Sequence, residues 1–445
     1  MSSRGITSRA KTAPVLIALL LLYEQMALGS NGHLLASIAA VAEIGVALLV
    51  LILLQPDGEF FRRAWPVTGL SIAALAWLML PSLAPGLIAN APPRPAPDLV
   101  LPGLARQLGG LALLLAGGWI GYRRGLLRIG VRAIVLSGLL CLVVGMIFRQ
   151  YSPDQVWGFS TGILGGRNTG TLLNANSAGC LAGMTALLAL GILLENLRSE
   201  IGRRNSPLSL AMRALMLIVI ILSLAAVASS GSRTVLALTI ILLMATSVAD
   251  DLLWRLMFSW SGLVYMALGI VVMAILATTT GEITLSRIMS LQTDGISRTR
   301  LWDIYWTMAK ASPWTGYGPL SLDAISAERV RDISAARATW YVHSPHSTPL
   351  SLLLTGGLPY LALLCAAAAT MLATIAKAAR FRRQDPLIRT SLAALILLLL
   401  CSLVDIQMDV PALGALAIAL TAMLWGRSLR ALSDRDARAC ASRSD

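Results

Sequence analysis

Long apolar runs alternate with short polar segments along almost the whole chain. A helix needs about 20 residues to cross the hydrocarbon core of a bilayer, and twelve runs come close to that length. They cover residues 13–30, 34–54, 65–84, 104–121, 129–148, 171–194, 209–228, 234–250, 262–280, 348–376, 387–404 and 408–425. The pattern predicts an all-α, polytopic integral membrane protein with about twelve transmembrane helices, in which residues 1–445 form a single membrane domain.

The basic residues between the runs predict how these helices are oriented. Lys and Arg collect in the loops that stay in the cytoplasm. Every second loop carries such residues, for example the Arg123–Arg124 and Arg382–Arg383 pairs, and the short loops between them carry few. The alternation predicts that both termini are cytoplasmic and that residues 426–445 form a basic cytoplasmic tail.

The composition supports the same class. Only 13% of the residues are charged, against about 25% in soluble domains, which excludes an ordinary soluble enzyme. A net charge of +14 would otherwise suggest a nucleic-acid partner. Because the basic residues sit in clusters between apolar runs, they are read as topology signals, and no nucleic acid is expected. The cysteines and histidines lack the spacing of a zinc site.

One predicted external loop is much longer than the others and covers residues 281–347. Within it, Leu301–Ala311 is predicted to be an amphipathic helix, since Trp302, Tyr305 and Trp306 recur on one side at helical spacing. Such a helix is expected to lie at the outer membrane interface with its aromatic rings at headgroup depth.

Three arginines on the predicted outer side are candidate ligands for phosphate. Arg233 follows the seventh run, Arg167 lies in a glycine-containing loop, and Arg298 precedes the amphipathic helix. Guanidinium binds phosphate in a bidentate manner and keeps its charge at any pH. The alternative for Arg233 is an interfacial arginine that extends towards the headgroups.

Two histidines, His343 and His346, lie just before the tenth run, where a histidine can act as a general base.

Other polar residues lie within or beside the apolar runs. Asn176, at the start of the sixth run, either bonds to a neighbouring helix or contacts substrate. Acids inside spans are candidates for function, but Glu24 and Glu43 could also pair with each other or with a nearby arginine. Asp405 and Asp409 flank the last external turn and are expected to be solvated.

Four sequence blocks occur in an order that resembles the O-antigen ligase and Wzy-type polymerase superfamily. The first block, Gly170–Asn176, is similar to G-x-x-x-N-P-N, and the second, Ser230–Arg233, is similar to S-x-S-R. The third block has Arg298 and Trp302 followed by Pro313, Gly316 and Gly318, similar to R-x-x-x-W and P-x-x-G-x-G. The fourth block has His346 with Leu350, Leu353 and Gly357, similar to H-N-x-x-L-x-x-L-x-E-x-G. The resemblance covers about residues 150–375. It selects His346 over His343 as the base.

The chain departs from these patterns at three positions. Ala175 replaces the proline between the asparagines, Ser347 replaces the asparagine after the histidine, and Thr355 replaces the glutamate. These changes affect the expected recognition of substrate but leave the arginines and His346 in place.

The resemblance implies a glycosyltransferase at the periplasmic face of the bacterial inner membrane. Its donor would be a glycan on undecaprenyl pyrophosphate, and its acceptor a glycan or lipid A-core. His346 would be the catalytic base; the residues expected to bind substrate are Arg167, Arg233, Arg298, Asn176, His343 and Trp302. Neither metal nor cofactor is expected. Membrane lipids, a flippase and a chain-length regulator would be further partners.

Three functions compete at this point. A polymerase extends a lipid-linked chain, and the residues around the asparagine and histidine blocks favour it slightly. A ligase transfers the finished glycan to lipid A-core. A twelve-span transporter is the third hypothesis, although the two halves of the chain show no internal sequence repeat of the kind common in transporters.

Overall fold

Thirteen α-helices account for most of the described chain. The computed structural model describes residues 8–84, 94–160, 167–199, 206–251, 291–330, 344–380 and 385–444, with the single residues 86, 88, 333 and 339. The helices are α1 (Ser8–Met26), α2 (His33–Leu54), α3 (Gly58–Leu83), α4 (Val100–Tyr122), α5 (Leu126–Tyr151), α6 (Ala175–Ser199), α7 (Pro207–Ser229), α8 (Arg233–Val248), α9 (Leu291–Ala311), α10 (Leu322–Arg329), α11 (Thr348–Ala379), α12 (Pro386–Ser402) and α13 (Pro411–Ser444). One antiparallel pair, β1 (Gln155–Val156) and β2 (Phe159–Ser160), follows α5.

The prediction of an all-α polytopic membrane protein is confirmed. Among the described residues, eight helices are long and apolar enough to cross a membrane: α2 to α7, α11 and α13. Helices α8 and α12 are apolar but shorter. Eleven of the twelve predicted runs fall on described helices, and the ninth, residues 262–280, lies outside the described residues. The total of twelve spans therefore stays a prediction.

Polar residues in the connecting loops mark where several helices begin. Asp57 accepts the backbone N–H of Phe60 at 2.8 Å, and Ser206 accepts that of Ser209 at 3.1 Å. Asp385 caps α12 in the same way. The first turn of a helix has unpaired N–H groups, which these side chains satisfy. The caps therefore set the first turn of α3, α7 and α12.

Helix α6 lies at the centre of the bundle. Its most apolar 18-residue stretch is buried throughout, and its main neighbours are α7 and α12. A helix that is apolar on all sides is expected to be surrounded by protein. Asn176 lies in its first turn, so the central helix delivers a polar side chain to one end of the bundle.

Helices α4 and α13 approach each other closely through glycine. A Cβ on Gly121 would overlap the carbonyl of Met423, and a Cβ on Gly426 would overlap the carbonyl of Gly118. Small residues allow helix backbones to come together in this way.

The segment predicted to be a basic tail is helical. Helix α13 begins in the last apolar run and continues through this segment to Ser444.

The third and fourth sequence blocks meet at a break in α11. Gly357 has φ +74°, outside the helical range. The N–H of Leu358 donates to Pro313 O, and the N–H of Tyr317 donates to Leu354 O, both at 2.7 Å. A break in an apolar helix is tolerated where other protein groups satisfy the freed backbone. These bonds anchor the segment around residue 313 to α11.

The amphipathic helix predicted at Leu301–Ala311 is the second half of α9. Tyr305 is fully buried, whereas Trp306 is 49% exposed. The buried face of α9 packs against Leu350 and its neighbours at the start of α11. Tyr305 therefore contacts protein instead of the headgroup region, because the start of α11 supplies apolar surface that no local pattern reveals.

A buried ion-pair cluster at the end of α8 is expected to contribute strongly to stability. Asp250 is fully buried and pairs with Arg198 of α6, at 2.9 Å, and with Arg389 of α12. Removing one partner of a buried pair typically costs about 3–5 kcal/mol. We expect Asp250→Ala to lower the thermal unfolding midpoint in detergent clearly. The matched control is Asp251→Ala, which removes the exposed neighbouring acid; an equal effect of both variants would contradict this account.

Candidate active site

The candidate site is organised around the carboxylate of Asp405. Asp405 is 5% exposed and lies in the turn between α12 and α13. Its Oδ2 accepts hydrogen bonds from Asn176 Nδ2 at 2.6 Å and from Arg298 Nη2 at 3.2 Å. Its Oδ1 is 3.0 Å from His346 Nδ1 and accepts the backbone N–H of Ile406 at 2.8 Å. The turn thus joins residues from three of the four sequence blocks.

Asp405 and the Asp250 cluster lie at opposite ends of the bundle. Asn176 and Arg198 are near the two ends of α6, a helix of 25 residues, which spans about 37 Å at 1.5 Å per residue. Arg389 and Asp405 are likewise at the two ends of α12. The contacts of Asp405 with Asn176, Arg298 and His346 therefore lie at one end of the bundle, away from the ion pairs at the other.

Arg167 and Asn176 form a bridge to Asp405. Arg167 Nη2 donates to Asn176 Oδ1 at 2.6 Å, and Arg167 Nε donates to Ser230 O at 2.7 Å. Since Asn176 also donates to Asp405, both ends of its amide contact protein. Asn176 thus joins the loop of Arg167 to the turn of Asp405, and its predicted contact with substrate stays a prediction. Asn174 contacts the start of α6 instead, where its Oδ1 accepts the backbone N–H of Ser177.

The second block is held beside the first. The backbone N–H of Asn168 donates to Ser229 O at 2.9 Å, and its side chain donates to Ser229 Oγ at 3.2 Å. These bonds join the loop of Arg167 to the turn between α7 and α8. Arg233 opens α8 directly after this turn and is half-buried. The two arginines are thus delivered to the same end of the bundle by hydrogen-bonded segments.

Arg298 and Trp302 come from consecutive turns of α9. The Arg298 side chain is 35% exposed and makes an ion pair with Asp405. A guanidinium carries five N–H donors, so one bond to Asp405 leaves it able to contact a substrate oxygen as well. Trp302 packs against the hydrophobic cluster that α9 shares with α11. Its buried Nε1 has no hydrogen-bond partner among the described residues.

His346 has a defined orientation. An ionised carboxylate can only accept hydrogen bonds, so Nδ1 of His346 carries the proton that it shares with Asp405. The neutral ring then has its lone pair on Nε2, which is the atom that can accept a proton from a substrate. A histidine held by a carboxylate on one side and available on the other is a general arrangement for base catalysis.

Opposing influences act on the pKa of Asp405. Burial alone would raise it, but the hydrogen bond from His346, the positive charge of Arg298 and the N–H of Ile406 together hold the pKa below its usual value. Asp405 is therefore ionised under physiological conditions. The carboxylate can stabilise a proton taken up by His346 without accepting it.

The backbone around His346 has a second support. Ser344 Oγ donates to Asp409 Oδ2, and the N–H of His346 donates to Ser344 Oγ at 3.2 Å. Burial raises the pKa of Asp409, and the bond from Ser344 opposes that effect. Asp405 and Asp409 were expected to be solvated. For Asp405 this expectation is wrong, because the turn folds onto His346 and α6 and leaves Asp405 only 5% exposed. Asp409 keeps partial exposure and has Ser344 as a protein partner.

Glu24 and Glu43 are brought together within the membrane domain. Glu24 is fully buried in α1, and Glu43 is 8% exposed in α2. They interact electrostatically with each other and with Arg106 of α4. A Cβ on Gly109, one turn after Arg106, would overlap the Glu43 carboxyl group. The structure thus supports the pairing that the sequence left open.

Sequence reasoning missed the central residue of the site. Asp405 lies far in sequence from each of its side-chain partners, and an acid in a short external turn normally faces water. The only signal was its position beside the last apolar runs, where acids are scarce. His343 lies outside the described residues, so its predicted role in substrate binding stays a prediction.

One comparison with known proteins bears on this site. Residues 217–365 match the family model described as O-Antigen ligase, consistent with an O-antigen ligase-like superfamily. The resemblance is confirmed over this third of the chain, which contains Arg233, Arg298 and His346 but ends before Asp405. It supports a membrane enzyme of the O-antigen ligase and polymerase type, with glycosyltransferase-like activity. No curated protein matches the chain.

Proposed function

We propose that this protein is a polymerase that joins glycans at the periplasmic face of the bacterial inner membrane. Its donor is a glycan on undecaprenyl pyrophosphate, and its acceptor is a hydroxyl of a second lipid-linked glycan. The observation that carries the proposal is the contact of His346 with Asp405, with Arg298 bound to the same carboxylate and Arg167 joined to it through Asn176. This arrangement supports a role for His346 as a base that acts beside arginines suited to bind phosphate.

The reaction needs one proton transfer and one substitution. Nε2 of His346 takes the proton from the acceptor hydroxyl while the hydroxyl oxygen attacks the anomeric carbon of the donor. A new C–O bond forms, and the bond to the pyrophosphate oxygen breaks with its electron pair. Asp405 holds Nδ1–H and stabilises the imidazolium that results. A single displacement of this kind inverts the anomeric configuration.

The arginines act on the leaving group. Negative charge increases on the pyrophosphate oxygens as the bond to the sugar breaks, and fixed positive groups stabilise that charge. Arg233 and Arg298 are each half-buried, so their side chains reach accessible surface while their positions are held by the fold. No nucleotide and no metal takes part in these steps.

The reaction can be tested with the full-length protein in detergent and an undecaprenyl-pyrophosphate oligosaccharide. The expected result is longer lipid-linked chains without any added acceptor, and an unchanged rate in EDTA. Product that forms only when lipid A-core is added would identify a ligase instead of a polymerase. Intact donor under both conditions, with folded protein and a native repeat unit, would contradict glycosyl transfer and favour transport. Strong inhibition by EDTA would contradict the metal-free mechanism.

Substitution of Arg233 by lysine tests the role of the guanidinium. An ammonium keeps the positive charge but cannot make a bidentate contact. We expect Arg233→Lys to lower kcat about 10- to 100-fold, because a donor to the developing charge is lost. The control is Arg213→Lys, which lies near the other end of α7 and bonds to Asn196. Wild-type rates in Arg233→Lys would identify Arg233 as an interfacial arginine without a catalytic task.

A further inference from the structure

The backbone of His346 adopts a conformation that is uncommon for residues other than glycine. Its φ is +50°, in the left-handed region, which histidine adopts more often than most side chains but still in a minority of cases. Such a conformation persists only where surrounding contacts hold it. The side-chain bond to Asp405 restrains the ring, but a restraint on Nδ1 alone leaves the backbone free to turn. A second contact must therefore hold the main chain.

Ser344 supplies that contact. Its hydroxyl is the acceptor for the backbone N–H of His346, at 3.2 Å. A hydroxyl has one donor hydrogen and two acceptor lone pairs, and it can rotate. When its hydrogen is committed to Asp409 Oδ2, the rotation stops and a lone pair stays directed at the His346 N–H. The serine is 8% exposed, so competition from bulk water is small.

Asp409 belongs to the same turn as Asp405. The N–H groups of Asp409 and Val410 both donate to Ile406 O, at 2.8 and 3.2 Å. The N–H of Ile406 in turn donates to the Asp405 carboxylate. One hydrogen-bonded turn thus carries two carboxyl groups, four residues apart. One holds the ring of His346, and the other reaches its backbone through Ser344.

We propose that Asp409 is a positioning residue that acts through Ser344 to hold the His346 backbone in the left-handed conformation, so that Nε2 is directed at the acceptor hydroxyl. This inference rests on the proposed function, in which His346 is the base. In this account Asp409 and Ser344 orient the base, and other residues bind the substrate. The turn between α12 and α13 then acts as a single rigid support for the catalytic histidine.

The test compares Ser344→Ala, Ser344→Thr and Asp409→Ala in the chain-extension assay. Misplacement of a catalytic group by about 1 Å can cost about 100-fold in rate. We expect kcat to fall about 10- to 100-fold in both alanine variants, while KM for the lipid-linked donor stays within about twofold. Ser344→Thr keeps the hydroxyl and should recover most of the rate. Ser402→Ala is the control, because the Ser402 hydroxyl donates to Leu398 O of its own helix and has no other hydrogen bond to the described residues.

Double variants separate positioning from a general loss of structure. If both residues act through one linkage, Ser344→Ala combined with Asp409→Ala should be no slower than the worse single variant. Neither change should slow the residual reaction of His346→Ala any further. Asp409 also interacts with Ser351 and Arg106, so its variant could unfold; Ser344→Ala tests the same linkage without that change.

Three outcomes would overturn parts of this account, and they bear on different statements. Additive losses in the double variant, or wild-type kcat in Ser344→Ala with His346→Ala inactive, would remove the positioning role and leave the proposed function intact. Wild-type rates in His346→Ala itself would remove the base on which both statements depend.

Discussion

Replacement of His346 by alanine is expected to abolish glycan transfer while the protein still folds and accumulates. His346 is the described histidine that contacts the site carboxylate, and its ring nitrogen Nε2 is the atom placed to accept a proton. Loss of a general base typically lowers kcat about 10²- to 10⁴-fold. The measurement is the initial rate of chain extension by purified protein, with circular dichroism and thermal unfolding to establish that the variant is folded.

The matched control for this substitution is His33→Ala. His33 is the exposed first residue of α2, so the variant removes an imidazole without a change at the site. Its rate should equal that of the wild type. If His346→Ala instead retained full activity, the base would have to be another group, and the contact between His346 and Asp405 would be structural.

Substitution of Asp405 by alanine is expected to have the second-largest effect, a fall in kcat of about 100-fold or more. Three side chains lose a partner at once, since His346, Arg298 and Asn176 all bond to this carboxylate. The imidazole would lose the acceptor that selects its tautomer, and Arg298 would lose its fixed position. Asp405→Asn should also be slow, because an amide can donate to Nδ1 and thereby favour the unproductive tautomer.

The pH dependence of stability gives an independent check on Asp405. Its pKa is lower in the folded protein than in the unfolded chain, whose usual value is 3.8. The stabilisation from its partners is therefore fully present above that value and is lost as the pH falls through the lower folded pKa. The difference in unfolding free energy between wild type and Asp405→Asn should be constant at neutral pH and shrink in strong acid. Asp154→Asn, at an exposed acid near β1, should show no such trend.

The membrane architecture follows from local properties of the chain. Apolar length decides whether a segment can span a bilayer, and this property belongs to the segment alone. The predicted runs accordingly coincide with α2, α5 and α7 to within a few residues at most ends. The start of α7 lies two residues before the predicted run, where Ser206 caps the helix. Helix α9 begins ten residues before the predicted amphipathic segment.

The motifs identified candidate residues without showing what most of them contact. Gly316 and Gly357 belong to two separate blocks, yet a Cβ on either would overlap backbone of the other segment. Their spacing in sequence gives no indication of this contact. Asn176 was a candidate for substrate binding, and the structure shows its amide between Arg167 and Asp405.

The sequence by itself determined the class of this protein, the approximate position of its helices and the identity of its candidate arginines and histidine. Hydropathy and motif order depend on residues that are near one another in the chain, so they can be recognised there. Only the tertiary structure decided that Asp405 is the centre of the site and that Asp409 lies behind Ser344. Their partners are separated from them by 59 to 229 residues, and a carboxyl group changes from solvated to buried and paired only when the folded bundle brings those partners to it.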